Sequence, residues 1–171
     1  MFPVGHGGLA RATYWVMGVI GALGLFASIV VHELSHALVA RRHAIPIQGI
    51  TLFVFGGMAE MGDEPPSPNA EMAMAGAGPL VSVGIGLIAL AGAALRGVWP
   101  VPVTAVLSYL GFINLVLAAF NVLPAFPLDG GRVLRSLLAM RLEYVKATNI
   151  AARLGQGLAF VFAFIGLFGN P

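Results

Sequence analysis

Four long stretches without a charged residue constrain this chain more than any other feature. They comprise residues 13–31, 72–95, 97–128 and 154–171. A helix needs about 20 apolar residues to cross the hydrocarbon core of a bilayer, and each stretch is near or above that length. Because 58% of the residues are hydrophobic and only 9% are charged, an ordinary soluble domain is excluded. The pattern predicts an all-α polytopic membrane protein with about four main transmembrane helices.

The first apolar stretch ends in a short motif that is typical of zinc proteases. Residues 32–36 read His-Glu-Leu-Ser-His, an HExxH sequence. On a helix, His32 and His36 lie on one face a single turn apart, where both imidazoles can bind one Zn²⁺ and Glu33 can reach a water molecule. Ionisable groups are costly among lipid chains, so this placement favours a buried functional site facing other helices. The alternative interpretation is a polar packing cluster.

A third ligand has to come from elsewhere in the chain. A catalytic zinc usually takes three protein ligands and leaves one position to water. The chain has no cysteine, so the ligands must be histidines and carboxylates. Outside the motif, Asp129 is the acidic residue that ends a long apolar run, which makes it the best third ligand. The alternative is that Asp129 caps the N-terminus of a helix starting near Arg132.

The segments between the apolar stretches carry further structure. Residues 45–55 are rich in β-branched and aromatic side chains and precede Gly56 and Gly57, which predicts a short membrane-associated β-hairpin that turns at the glycines. An ordinary interfacial loop is the alternative. The third apolar stretch is interrupted by Pro124 and Pro127, so a broken segment is expected there. Small residues between positions 75 and 86 predict close helix packing.

The basic residues predict the orientation of the chain in the membrane. If the spans alternate, seven basic residues face one side, namely Arg41, Arg42, Arg132, Arg135, Arg141, Lys146 and Arg153. The positive-inside rule places that side in the cytoplasm. His32 precedes Arg41 by nine residues, about 13 Å along a helix. The site is therefore expected in the cell membrane, nearer its cytoplasmic face. The basic residues are not interleaved with aromatic residues, so nucleic-acid binding has no support.

Two distant motifs, the HExxH sequence and Asn-Val-Leu-Pro-Ala-Phe-Pro-Leu-Asp-Gly-Gly at residues 121–131, closely resemble the site-2 protease family of intramembrane zinc metalloproteases. The resemblance is closest to the prokaryotic branch that often carries CBS domains. It implies that His32, His36 and Asp129 bind one Zn²⁺ per chain and that Glu33 is the general base. It also implies that Asn121 donates to the oxyanion during hydrolysis of peptide bonds in or near transmembrane substrates.

The resemblance also sets expectations for domain organisation. Residues 1–171 are expected to form a single transmembrane metalloprotease core, with no CBS or PDZ domain in this chain. Relatives of this branch commonly have a further helix before the HExxH helix and another near the C-terminus. No small-residue cleavage site precedes His32, so a removable signal peptide is not expected. Eight arginines against one lysine, with abundant alanine and glycine, suggest a GC-rich prokaryotic genome.

Two other classes of function compete with proteolysis. One is a catalytically inactive relative that keeps the fold and binds transmembrane helices, although a purely structural zinc site has no need of Glu33. The other is a small transporter with a polar site at the membrane midplane, although the sequence has no inverted repeat. Bound zinc would distinguish the protease from the transporter. Cleavage of a peptide would distinguish the protease from the inactive relative.

Overall fold

The computed structural model describes residues 8–43, 45, 47–53, 56–61, 65–95 and 97–169. Within these residues the chain forms five helices and two short strands. In chain order they are α1 (Arg11–Arg42), β1 (Ile47–Phe53), β2 (Gly56–Met61), α2 (Pro68–Ala94), α3 (Val101–Asn121), α4 (Asp129–Ala139) and α5 (Tyr144–Phe168). The predicted all-α class is confirmed.

Four of the described helices are long and apolar enough to cross a membrane, namely α1, α2, α3 and α5. This confirms the prediction of about four main transmembrane helices. The helix α1 is longer than its uncharged stretch, because it runs without a break through the HExxH motif to Arg42. At 1.5 Å per residue its length is about 48 Å. His32 and His36 therefore lie on the same unbroken helix as the apolar span.

The strands β1 and β2 pair antiparallel, with Leu52 opposite Gly57 and Phe53 opposite Gly56. Residues 54 and 55, which would connect the strands, lie outside the described residues. The side chains of both strands are also outside what the structure describes. The expected hairpin, with its turn at the glycine pair, stays a prediction.

The helix α2 lies at the centre of the packing, in contact with α1, α3 and α4, while α5 packs against α4. Its approach to α3 depends on two glycines. A Cβ atom at Gly86 would lie 3.1 Å from the carbonyl oxygen of Gly111, and one at Gly111 would lie 3.0 Å from that of Gly86. The small-residue prediction thus holds at Gly86. At Gly76 and Gly84 an added Cβ would meet nothing within 4 Å.

The break between α3 and α4 brings Asp129 to the site. The helix α3 ends at Asn121, residues 122–128 are non-helical, and α4 begins at Asp129 itself, with Leu128 in the N-cap position. The N-cap alternative for Asp129 is therefore wrong. A Cβ at Gly130 would overlap the carbonyl oxygens of Val122 and Leu123. Glycine at this position lets the start of α4 pack directly on the segment that leaves α3.

Candidate metal centre

Three predicted ligands meet in one place. Oδ2 of Asp129 lies 3.3 Å from Nε2 of His32 and 3.2 Å from Nε2 of His36. The two Nε2 atoms are 3.2 Å apart. Within the described chain, these residues form a His/His/Asp group that can hold a metal ion. The structure thus joins a motif on α1 with a residue 93 positions beyond His36.

The spacing of these atoms fits tetrahedral coordination. Zinc binds imidazole nitrogen and carboxylate oxygen at about 2.0–2.1 Å, which at tetrahedral angles separates neighbouring ligand atoms by about 3.3–3.4 Å. The three observed separations are 3.2–3.3 Å. The Asp129 and histidine atoms therefore form a nearly equilateral triangle of the size that one face of a zinc tetrahedron requires.

Asp129 itself is an incompletely satisfied buried group. Its Oδ2 atom is buried and has no hydrogen-bond partner among the described residues. A buried carboxylate oxygen is costly unless a cation or donor compensates its charge. Burial raises the pKa of the Asp129 carboxyl, but the His32 and His36 rings, when protonated, outweigh burial and lower this pKa to about 2. In the metal-free site these protonated rings keep the carboxyl anionic, and a bound cation would take over that role.

The histidine rings are oriented by groups on α2. Nδ1 of His36 lies 2.7 Å from the carbonyl oxygen of Met74. A carbonyl oxygen only accepts, so Nδ1 is the donor, and the neutral ring that binds a metal has its lone pair on Nε2, the atom that faces Asp129. Nδ1 of His32 lies 2.9 Å from Oγ of Ser82, which can accept its hydrogen in the same way. Such contacts commonly hold metal-binding histidines in the correct tautomer.

Gly78 leaves the space in which an ion would lie. A Cβ atom at this position would overlap Nε2 of His36 and lie 2.6 Å from Nε2 of His32. The backbone of α2 therefore faces the ligand atoms directly, and any side chain there would enter the space between them. The donor set, the orphaned oxygen of Asp129 and this gap all fit a zinc ion.

Two predicted site residues stand beside the triangle rather than in it. Glu33 follows His32 on α1 and is partly exposed. Asn121 is buried at the end of α3, where its Nδ2 donates to the carbonyl oxygen of Leu117 at 3.0 Å. The residue after it, Val122, packs against Gly130 next to Asp129. Asn121 thus belongs to the segment that wraps around the start of α4.

Asn114 has a different environment from Asn121, although both lie on α3. Its Nδ2 donates to Oγ of Ser28 on α1 at 3.1 Å and to the carbonyl oxygen of Leu110 at 2.8 Å. The side chain is fully buried. These contacts make Asn114 a helix-packing residue. His43 is an exposed residue at the end of α1, and His6 lies outside the described residues.

Sequence reasoning missed three contributions from α2. It assigned Gly78 and Ser82 to close helix packing, and it did not consider the backbone carbonyl of Met74. Gly78 and Ser82 are four residues apart and on one face of the helix, as a shared role would require. That spacing was visible in the sequence, but the sequence did not show that this face of α2 packs against the histidines of α1.

Comparisons with known proteins agree with this site. The model of peptidase family M50 matches residues 20–100 and 96–163. A Synechocystis protein described as a candidate zinc metalloprotease is 44% identical over 94% of this chain and 42% of its own length. Zinc metalloprotease MJ0392 of Methanocaldococcus jannaschii is 40% identical over 84% of this chain and 41% of its own. The chain spans about two fifths of the length of these curated relatives.

A solved structure is also similar. The site-2 protease from Methanocaldococcus jannaschii superimposes with a TM-score of 0.71 at 35% sequence identity, covering 98% of this chain and 73% of that one. The likeness therefore extends over all the helices that build the triangle of ligand atoms.

Proposed function

The chain belongs to peptidase family M50, and from this membership and the ligand triangle we propose that it is an intramembrane zinc metalloendopeptidase. It hydrolyses peptide bonds in or near the transmembrane segments of other membrane proteins. The observation that carries the proposal is the set of separations of 3.2–3.3 Å among ligand atoms of His32, His36 and Asp129. Residues 1–171 act as one transmembrane catalytic domain.

The residues around the triangle divide the chemistry among them. A bound Zn²⁺ supplies Lewis acidity, which activates a water molecule and polarises the peptide carbonyl. Glu33, adjacent to His32 and partly exposed, takes a proton from that water. It then returns the proton to the nitrogen of the leaving amine. One side chain therefore serves as base and then as acid.

Asn121 is proposed to donate to the oxyanion. Its Nδ2 carries two hydrogens, and the observed bond to the carbonyl oxygen of Leu117 uses one of them. The second can donate to the negative charge that develops on the substrate oxygen. A neutral amide suits this position because it adds no charge of its own near Asp129.

The site is proposed to lie in the cell membrane, nearer the cytoplasmic face. The unbroken course of α1 supports the rise of about 13 Å from His32 to Arg41. The helix α4, which carries Asp129, also carries Arg132 and Arg135, so basic residues stand near the site on both helices. The positive-inside rule places such residues on the cytoplasmic side. Water then has a short path to Glu33.

A helical substrate must be extended before it can be cleaved, because its carbonyl groups are engaged in its own hydrogen bonds. The strand β1 is the proposed edge for this purpose, since an exposed strand can pair with an extended peptide. Its position between α1 and α2 in the chain is compatible with this role.

The test uses the full chain in detergent micelles or nanodiscs. Bound metal is quantified, and cleavage of a synthetic transmembrane peptide is followed by mass spectrometry. We expect about one zinc per chain, loss of cleavage after chelation, and recovery when zinc is returned. The His32→Ala variant should lose both zinc and cleavage.

Three outcomes would count against the proposal. Absence of zinc in the parent protein would remove its basis, and cleavage that survives chelation would point to a contaminating protease. Stoichiometric zinc without cleavage of any peptide would favour the inactive, helix-binding relative.

A further inference from the structure

A buried charge outside the metal centre connects two of the elements that build it. Glu71, in the first turn of α2, has 0% of its surface exposed. Its Oε1 accepts hydrogen bonds from Nε of Arg135 at 2.9 Å and from Nη2 of the same side chain. Its Oε2 accepts a hydrogen bond from the hydroxyl of Tyr144 at 2.6 Å. Both oxygens of this carboxylate are therefore occupied.

Arg135 is confined on its other sides by aromatic rings. Its guanidinium carbon lies 5.3 Å from the ring centre of Phe126 and 4.9 Å from that of Tyr144. A guanidinium group held by two hydrogen bonds and two ring faces has little rotational freedom. The cluster thus locks together the start of α2, the middle of α4, the start of α5 and the segment before Asp129.

Both sides of this ion pair lead to a metal ligand. Three residues after Glu71, the carbonyl of Met74 orients His36. Seven residues after Glu71, on the same face of α2, Gly78 borders the ligand nitrogens. Arg135 lies on α4, whose first residue is Asp129, about 9 Å away along the helix axis. Glu71 therefore ties the helix that carries the third ligand to the helix that orients a histidine.

The energetics of buried ion pairs favour a geometric role over a stabilising one. Removing two charges from water is costly, and well-packed apolar residues often stabilise a fold as well or better. What a buried pair adds, with two donors of Arg135 on one oxygen of Glu71, is a restricted distance and angle between its two elements. A triangle of ligand atoms needs that property, because three rigid donors must converge on one point.

We propose that Glu71 is a positioning residue for Asp129. Through Arg135 it sets the position of α4 so that the Asp129 carboxylate meets the two imidazoles, and Tyr144 holds the second oxygen of Glu71 in place. The inference rests on the proposed zinc site and concerns what keeps its third ligand in position. Glu71 does not touch the ligand atoms and acts on Asp129 through Arg135 and the backbone of α4.

The test measures the Kd for zinc by competition with a chromophoric chelator, on the full chain in micelles. Glu71→Gln should raise the Kd by about 10- to 100-fold, the range found when groups behind metal ligands are removed. Tyr144→Phe keeps both the ring and the ion pair, so it should raise the Kd by a smaller factor. The control is Glu143→Gln, because the Glu143 side chain is 76% exposed and pairs with Lys146 at 3.4 Å on the surface. Its Kd should equal that of the parent.

A double-mutant cycle separates positioning from a general effect on the fold. If Glu71 acts through Asp129, then Glu71→Gln should change the Kd by less than about twofold when Asp129 is already alanine, with the weaker Kd of this background measured at zinc concentrations high enough to load the two remaining histidines. Cobalt in place of zinc gives a second readout, since Glu71→Gln should alter the visible d–d spectrum as Asp129→Ala does.

The possible failures are distinct. A folded Glu71→Gln protein with the parental Kd would overturn the positioning role, as would a full effect in the Asp129→Ala background. If Glu71→Gln does not fold, the same cycle with Tyr144→Phe decides, and an unchanged Kd there would overturn the role. A parent protein that binds no zinc would instead overturn the proposed function.

Discussion

The Cα atom of Gly78 faces Nε2 of His36 so closely that a methyl group on residue 78 would overlap the ring nitrogen. The same methyl group would lie 2.6 Å from Nε2 of His32. The backbone of α2 thus forms one wall of the space between the ligand atoms. A side chain at residue 78 would therefore enter the space that an ion bound by these two nitrogens would need.

Gly78→Ala should therefore reduce zinc binding and cleavage together. The added methyl group must displace both imidazoles or occupy the position of the ion. The matched control is Gly76→Ala on the same helix, where an added Cβ meets nothing within 4 Å. Zinc content and peptide cleavage of the two purified variants provide the comparison. Full zinc occupancy in Gly78→Ala would mean that the gap is not the metal position.

Asp129→Ala should deplete zinc and abolish cleavage, because only two of three ligands then remain. The orphaned, buried Oδ2 atom of Asp129 supports this expectation. Asp129→Asn is a useful second variant, since it keeps the size of the side chain and removes its charge. The zinc content of both variants is measured after dialysis. Retention of zinc and activity in Asp129→Ala would refute the three-ligand model.

Glu33→Gln should keep zinc and lose turnover, because Glu33 is proposed as the base and not as a ligand. Loss of a general base typically lowers the rate by about 10²–10⁴, and here the same group also returns the proton. Single-turnover cleavage of a transmembrane peptide, with zinc content measured on the same sample, checks the prediction. A cleavage rate near that of the parent would assign the base elsewhere.

Ser82→Ala should weaken zinc binding by about 10- to 100-fold, as other substitutions behind a metal-binding histidine do. Ser82 is fully buried, and its Oγ is the partner of Nδ1 of His32 at 2.9 Å. Without it the ring loses the contact that orients Nε2. Ser108→Ala is the control, since Ser108 is exposed on α3. Equal zinc affinities in the two variants would argue against a role for this hydrogen bond.

The two asparagines of α3 should respond differently to alanine. Asn121→Ala should keep zinc and lower turnover by about 10²–10³, as expected for loss of an oxyanion donor. Asn114→Ala removes bonds to Ser28 and Leu110, so it should lower the free energy of unfolding by about 1.2 kcal/mol, since each such bond in membranes contributes about 0.6 kcal/mol on average. Thermal unfolding and cleavage rates, measured on both variants, separate the two roles. A purely thermal defect in Asn121→Ala would make it a packing residue.

Much of the architecture could be predicted from local properties of the sequence. Length and apolarity alone determine that a segment spans a bilayer, because unsatisfied backbone groups are too costly in lipid for any form other than a helix or closed barrel. The four spans follow from that constraint, and the break near Pro124 follows from the prolines, which cannot continue a regular helix. The C-terminal end of α1 was harder to predict, because its last turns, ending at Arg41 and Arg42, extend beyond the apolar run.

Part of the metal site could likewise be predicted from the sequence, and part could not. The spacing of His32 and His36 determines by itself that the two rings share a helix face, because four residues make about one turn. The position of Asp129 at the start of α4, and not as a cap before a helix at Arg132, was left open by the sequence. Only the packing of Gly130 against the carbonyl groups of Val122 and Leu123 decided it.

The tertiary structure alone decided the part played by α2. The sequence does not show that Gly78 and Ser82 face the two histidines, and Glu71 looks like any acidic residue in the first turn of a helix. Their roles depend on which helix each one faces, and that follows from the crossing of α1, α2 and α4. Sequence therefore determined which atoms can bind the metal, whereas the packing of three distant helices determined that those atoms meet, because convergence depends on contacts between residues far apart in the chain.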